Sequence, residues 1–148
     1  CLPDALEAGT LNTVGLAGLA AALGYLEARG LDAVRSHEQA QVCRLVAGLA
    51  AIPGVTVLGP RDPEHRTAVI SFNLESMTCA EVAQALEERA GICCRAGLHC
   101  APLAHRQLGT FPHGAVRLSP GAFTTDLEID TALGALAELA RESKGAHP

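Results

Sequence analysis

Lysine is nearly absent from this chain. The only one is Lys144, close to the C-terminal end, so any chemistry that needs a buried lysine has to come from elsewhere. Tryptophan is missing altogether, there is one tyrosine, and aromatics make up 3% of the residues. The core must therefore be Leu, Val, Ile and Ala, and the stacking platforms that single-stranded nucleic acids need are lacking. Positive charge is scarce too. Eleven Lys and Arg face sixteen Asp and Glu, a net charge of −5, which argues against a nucleic-acid partner because such a partner needs a basic face. No apolar run approaches the roughly 18 residues of a membrane span, and no basic-then-apolar signal segment is present. The chain also lacks an initiator methionine. It begins Cys1-Leu2-Pro3-Asp4, a start that reads as the interior of a longer sequence and leads us to expect a piece of a larger protein.

What is present supports a folded chain. At 148 residues, 49% hydrophobic and 18% charged, it can bury a core, and disorder is not expected. Six cysteines invite a disulfide reading, but scaffolds built on disulfides are smaller and denser in cysteine. A reduced, cytoplasmic chain is the expectation, with Cys43 and Cys79 acting as small core hydrophobes inside helical patterns.

Residues 2–13 carry no periodicity and read as an extended loop. Leu16, Leu19, Leu23 and Leu26 then recur at helical steps, with Gly30 as a stop. A second helix is predicted over 32–51, its stripe being Val42, Leu45, Val46, Leu49 and Ile52, ended by Pro53-Gly54. Strands are predicted over 55–58, 67–73, 92–95 and 115–119, with a charged turn over 61–66. Thr78-Cys-Ala-Glu81 and Thr125-Asp-Leu-Glu128 are capping boxes opening two further helices. Strands and helices do not alternate strictly. The fold class predicted is α+β: a small, mostly antiparallel sheet of three to four strands with helices packed on one face. The organisation predicted is a lead-in loop and connecting helix over 1–35, belonging to a missing large domain, followed by a small α+β domain over 36–148.

The most informative stretch is Cys94-Arg-Ala-Gly-Leu-His-Cys100-Ala-Pro-Leu-Ala-His105-Arg106. It sets the Cys100 thiol among two imidazoles and two guanidiniums, with Gly97 to bend the backbone. A thiol is a nucleophile only as thiolate, and neighbouring positive charge favours that form. His99, Pro102 and His105 suggest an exposed, irregular loop. Arg95 and Arg117 bracket it, and a guanidinium binds a carboxylate through two parallel hydrogen bonds, the expected anchor for an amino-acid substrate. Cys93 and Cys94 read as structural strand residues, and His37 and His65 as solvated surface histidines. Glu7-Ala-Gly-Thr10-Leu-Asn12 leads into a helix and offers a hydroxyl and backbone amides suited to a phosphate; an N-capping residue explains the same pattern. Zinc sites show two separated pairs of ligands. No such pairing stands out among the cysteines and histidines, so no metal is assigned.

Three segments together, Glu7-Ala-Gly-Thr-Leu-Asn12, Arg95-Ala-Gly-Leu-His-Cys100 and Arg117-Leu-Ser-Pro-Gly-Ala-Phe-Thr-Thr125, resemble the C-terminal part of cysteine desulfurases, members of the class V aminotransferase group of pyridoxal-phosphate enzymes. They run in the family's order over nearly the whole chain. The resemblance implies the small C-terminal domain of a fold type I enzyme. Its cofactor is pyridoxal 5'-phosphate, held by a lysine on a preceding large domain outside this chain. It implies that Arg117 holds the carboxylate of L-cysteine, that Arg95 and His99 lie beside the substrate, and that Cys100 takes the substrate sulfur as a persulfide, leaving alanine. Thr10 would reach the cofactor phosphate in a homodimer, a sulfur-acceptor protein is a possible partner, and this chain alone, without the lysine, would be inactive. Leu98 stands where one branch of the family has a histidine, and the stretch 101–114 departs from familiar members. A selenocysteine lyase, another class V aminotransferase-type enzyme, or a non-catalytic metal-binding or regulatory module are the alternatives.

Overall fold

A computed structural model describes residues 2–60 and 62–145. Cys1, counted among the thiols, and Arg61, first residue of the predicted charged turn, lie outside them. The chain divides into two compact units, Cys1–Ser36 and His37–Pro148.

In the first unit a short 3-10 turn, Asp4–Leu6, precedes helix α1, Thr13–Arg29. The Asn12 side chain caps α1 by accepting the Gly15 N–H at 2.9 Å. The helix is apolar on every side, and Val14, Leu16, Leu19 and Leu23 are all exposed.

Helix α2, Leu31–Ala51, runs from the first unit into the second. The second unit continues with β1 (Val55–Leu58), β2 (Ile70–Leu74), α3 (Cys79–Ala90), β3 (Arg95–Gly97), α4 (Pro102–Gln107), β4 (Ala115–Leu118) and α5 (Asp126–Gly145). The strands form one antiparallel sheet in the order β1-β2-β4-β3, so the expected α+β class holds. Alternation divides the sheet. Ile70, Phe72, Leu74, Val116 and Leu118 share a core with Val42, Leu45 and Leu49 of α2, Val82 and Leu86 of α3, and Ile129, Leu136 and Leu139 of α5. Ser71, Asn73, Arg117 and Arg95 fall on the opposite parity.

Both predicted capping boxes form. Thr78 Oγ1 accepts the Glu81 N–H while the Glu81 carboxylate accepts from the Thr78 backbone, and Thr125 and Glu128 do the same. These hydrogen bonds hold the Glu81 and Glu128 carboxyls below the usual carboxylate range.

Several expectations shift. Strand β2 begins at Ile70 rather than Thr67, because the Val69 N–H turns back onto the Thr67 carbonyl at 2.7 Å and leaves the ladder. Strand β3 begins at Arg95 rather than Ile92. The cause is the end of α3: Gly91 takes φ 65° and the Ile92 N–H closes onto the Leu86 carbonyl at 3.2 Å, so the helix cap consumes that backbone. Cys93 and Cys94 therefore precede the strand, Cys93 exposed and Cys94 half-buried. The loop expected after β3 contains helix α4. Cys43 is exposed rather than core, because the buried face of α2 runs through Gln41, Val42, Leu45 and Leu49. His37 is half-buried, its Nε2 donating to the Thr124 carbonyl at 2.9 Å.

Candidate functional site

The outer face of the sheet brings the two arginines together. In the β3–β4 register Arg95 is the direct partner of Arg117, and in the β2–β4 register Arg117 is the partner of Ser71. Directly opposed residues on antiparallel strands project to the same face with Cβ atoms roughly 5 Å apart, and like charges so placed repel. Among the described residues neither guanidinium has a carboxylate partner. The Nε–H of Arg117 is buried and makes no hydrogen bond. A buried donor of a cationic group left unpaired is costly, and an anion lying between the two guanidiniums would satisfy it and relieve the repulsion.

The chain leaves this pair through Gly97 at φ 111° and enters a loop in which His99 (φ 50°) and Cys100 (φ 58°) are both left-handed. Two successive side-chain-bearing residues in that region cost about 1–3 kcal/mol each and persist only where the surroundings impose them. His99 supplies one restraint. Its Nε2 lies 3.0 Å from the Ala115 carbonyl, and since a carbonyl only accepts, Nε2 carries the proton and Nδ1 is left as an acceptor. Burial lowers the His99 pKa first. The bond to Ala115 opposes that shift, and the charges of Arg117, His105 and Arg95 lower it further. The imidazole next to Cys100 thus sits in the field of both arginines. The Cys100 thiol is free and exposed.

The sign of the His99 shift fixes a pH dependence. An imidazole held neutral in the folded chain binds its proton more readily when unfolded, so its contribution is complete above the ordinary value of about 6.5 and is lost as pH falls below it. The expected result is a denaturant midpoint that drops between pH 7 and pH 5, less steeply in His99→Gln, which keeps a donor for Ala115. Equal slopes in the two proteins would show that His99 is not the source.

The far end of the loop is pinned to the sheet. Gly114 has φ 80°, its carbonyl accepts from Asn73 Nδ2 at 3.2 Å, and a Cβ built on it would lie 2.3 Å from the Gly97 carbonyl carbon. Backbone cannot give way as a flexible side chain does. Gly114→Ala is therefore expected to cost about 2 kcal/mol through strain and overpacking, read as a lowered urea midpoint at unchanged slope.

Of the residues singled out from sequence, Arg95, Arg117 and His99 come within electrostatic reach of one another, and Cys100 follows His99 on the exposed loop between β3 and β4. Thr10 lies in the first unit, exposed, two residues before the Asn12 cap. His105 departs from expectation. It is 5% exposed rather than part of an exposed loop, because α4 turns it inward toward His99 and Thr110. The sequence reading missed Thr110 and Asn73 entirely. No three His, Cys, Asp or Glu gather as metal ligands, and no helix is long and apolar enough to cross a membrane, among the described residues.

Residues 2–132 match the family model described as Aminotransferase class-V. A Mycobacterium leprae protein named "Probable cysteine desulfurase 2" is 37% identical over 128 residues, covering 86% of this chain and 30% of that one. A cysteine desulfurase from Thermococcus onnurineus NA1 superposes with a TM-score of 0.87 at 35% identity over 95% of this chain and 34% of that chain. The cysteine desulfurase CsdA of Escherichia coli gives a TM-score of 0.80 at 28% identity, over 95% of this chain and 33% of that chain. The chain spans about a third of the length of these relatives. A match to the family model that runs through the paired arginines, the cysteine loop and the first turns of α5 leaves one assignment: the chain belongs to the class V aminotransferase family.

Proposed function

We propose that this chain is the small-domain portion of a pyridoxal-phosphate-dependent cysteine desulfurase that takes sulfur from L-cysteine onto Cys100 and leaves alanine. The observation that carries this reading is the opposed Arg95–Arg117 pair, with its unpaired buried Nε–H, directly ahead of an exposed thiol on a left-handed turn. On the same reading, residues 1–35 are a lead-in loop and connecting helix and 36–148 the small domain. The all-round apolar α1 supports this, since a helix with that pattern and exposed Leu side chains suits the interior of something larger. The protein works as a homodimer in the cytoplasm, where thiols such as the five free ones among the described residues stay reduced.

The residues present fit one edge of the cofactor. The Thr10 hydroxyl is exposed, makes no hydrogen bond among the described residues and stands just before the N-terminus of α1, a setting suited to the phosphate. The covalent lysine belongs to the rest of the protein. When bound, pyridoxal phosphate supplies an electron sink beside the substrate Cα.

The chain's own residues do the following. Arg117 takes the substrate carboxylate in two parallel charge-assisted hydrogen bonds, one from its Nε–H. Arg95 adds positive charge on the same face. His99 stays neutral, with Nδ1 an acceptor for the substrate's polar groups. Cys100 attacks as thiolate: its sulfur bonds to the substrate sulfur, the substrate Cβ–S bond breaks, and Cβ keeps the electron pair and takes a proton. Cysteine plus thiol becomes alanine plus persulfide, in balance and without an external oxidant. The persulfide then sits on an exposed loop, accessible to a sulfur acceptor. The test is to supply the full-length protein with cofactor and L-cysteine and quantify alanine and protein-bound persulfide. Equal amounts of the two support the reading, and alanine without persulfide sinks it.

A further inference from the structure

Helix α4 begins two residues after Cys100, is six residues long and has no side-chain cap at its N-terminus. Pro102, Leu103, Ala104, Arg106 and Gln107 are all exposed, and only His105 is buried. The helix that follows the nucleophile thus buries a single side chain, and that side chain is polar; Arg106 makes only an exposed contact, 4.8 Å over the Phe111 ring. Burying an imidazole is unfavourable unless its nitrogens find partners. His105 Nδ1 lies 2.7 Å from Thr110 Oγ1, and its ring centroid is 5.8 Å from that of His99. Its carbonyl accepts the Thr110 N–H at 2.9 Å and the Phe111 N–H at 3.2 Å. The Thr110 carbonyl in turn accepts the Gly114 N–H at 2.8 Å, and Gly114 is seated on Gly97 and bonded by Asn73. A continuous line of hydrogen bonds therefore runs from α4 through Thr110 to the sheet that carries Arg95 and Arg117. His99 anchors the loop on the other side of Cys100.

We infer that His105 is a positioning residue. Through its bond to Thr110 it fixes the carboxyl side of the Cys100 loop, so that the thiol is presented at one place. This rests on the desulfurase reading, in which the loop thiol must reach a bound substrate. His105 acts on Cys100 only through the loop, and an error of about 1 Å in placing a reacting group costs on the order of 10²-fold in rate.

The test uses the full-length holoenzyme with His105→Leu, Thr110→Val, the double variant and His105→Asn. The asparagine amide nitrogen falls near the position of Nδ1 and can restore the bond to Thr110. Two measurements are made: kcat and KM for L-cysteine, and amide hydrogen exchange over residues 98–114. We expect His105→Leu and Thr110→Val each to lower kcat by on the order of 10- to 100-fold with KM within about twofold. The double variant should be no worse than Thr110→Val, because that variant already removes the bond to His105 Nδ1 together with the long one from the Thr110 hydroxyl to the His105 carbonyl. His105→Asn should recover most of the rate. Exchange over 98–114 should quicken in the two singles and not in His105→Asn. Unchanged exchange in folded variants, additive losses, or a rise in KM alone would overturn the assignment. If the wild type yields no sulfur from cysteine, the functional reading fails, and the exchange measurement still decides whether the brace exists.

Discussion

Replacing Cys100 by alanine in the full-length protein is expected to end persulfide formation while the absorbance band of the bound cofactor stays intact. The expected loss is on the order of 10³-fold or more, since no other group in the loop can accept sulfur and the step is covalent rather than electrostatic. The two halves of that result separate cause from collateral damage. Cys100 is exposed and makes no hydrogen bond among the described residues, so its removal leaves the core of Phe72, Leu45 and Leu136 untouched. The left-handed backbone at this position belongs to alanine no less than to cysteine, so the strain is unchanged. Cys93, Cys94 and Cys79 are the internal controls. Cys79 donates to the His113 carbonyl at 3.1 Å, and burial, with Cys93 and Glu87 adding to it, raises the pKa of Cys94 and keeps it a thiol. Substituting any one of the three should leave sulfur transfer within about twofold. Sulfur release that survives Cys100→Ala would mean that the nucleophile lies elsewhere.

Arg117→Ala is expected to raise KM for L-cysteine by roughly 10²-fold, equivalent to about 3 kcal/mol, the upper end for a hydrogen bond to a charged group. The physical case is the unpaired buried Nε–H. The folded chain already meets the cost of placing this donor out of water, so a carboxylate arriving there gains a pre-oriented fork rather than a mobile charge. Arg117→Lys keeps the charge without the planar fork and should fall between alanine and wild type. Because Arg95 stands directly across the ladder, removing either cation also relieves their mutual repulsion. Arg117→Ala should therefore be no less stable to urea than wild type, although it binds substrate worse. A variant that loses stability and binding together would point to a structural role for Arg117.

Much of the fold was legible because its signals are local. Thr78-Cys-Ala-Glu81 and Thr125-Asp-Leu-Glu128 close their hydrogen bonds within four residues, and the stripe Val42, Leu45, Leu49 needs only helical periodicity. Strand β3 was displaced for a reason that is local in space yet hidden in sequence. The left-handed cap of α3 takes up the Ile92 N–H on the Leu86 carbonyl, and no pattern of apolar residues reports that. His105 read as solvent-facing because a polar residue in a short run carries no periodicity, and only the return of Thr110 beneath it explains its burial.

The sequence by itself supplied the groups on which the proposed chemistry rests: the thiol, its imidazole neighbour and two guanidiniums, since residue type alone decides what can attack, accept or bind a carboxylate. Tertiary structure alone decided their arrangement. Strand register set Arg95 opposite Arg117 across twenty-two positions of sequence, and the seating of Gly114 on Gly97 closed the loop that displays Cys100. Pairing between distant segments depends on the shape of a shared core and on which backbone groups are still free, and neither is written in any one stretch of the chain.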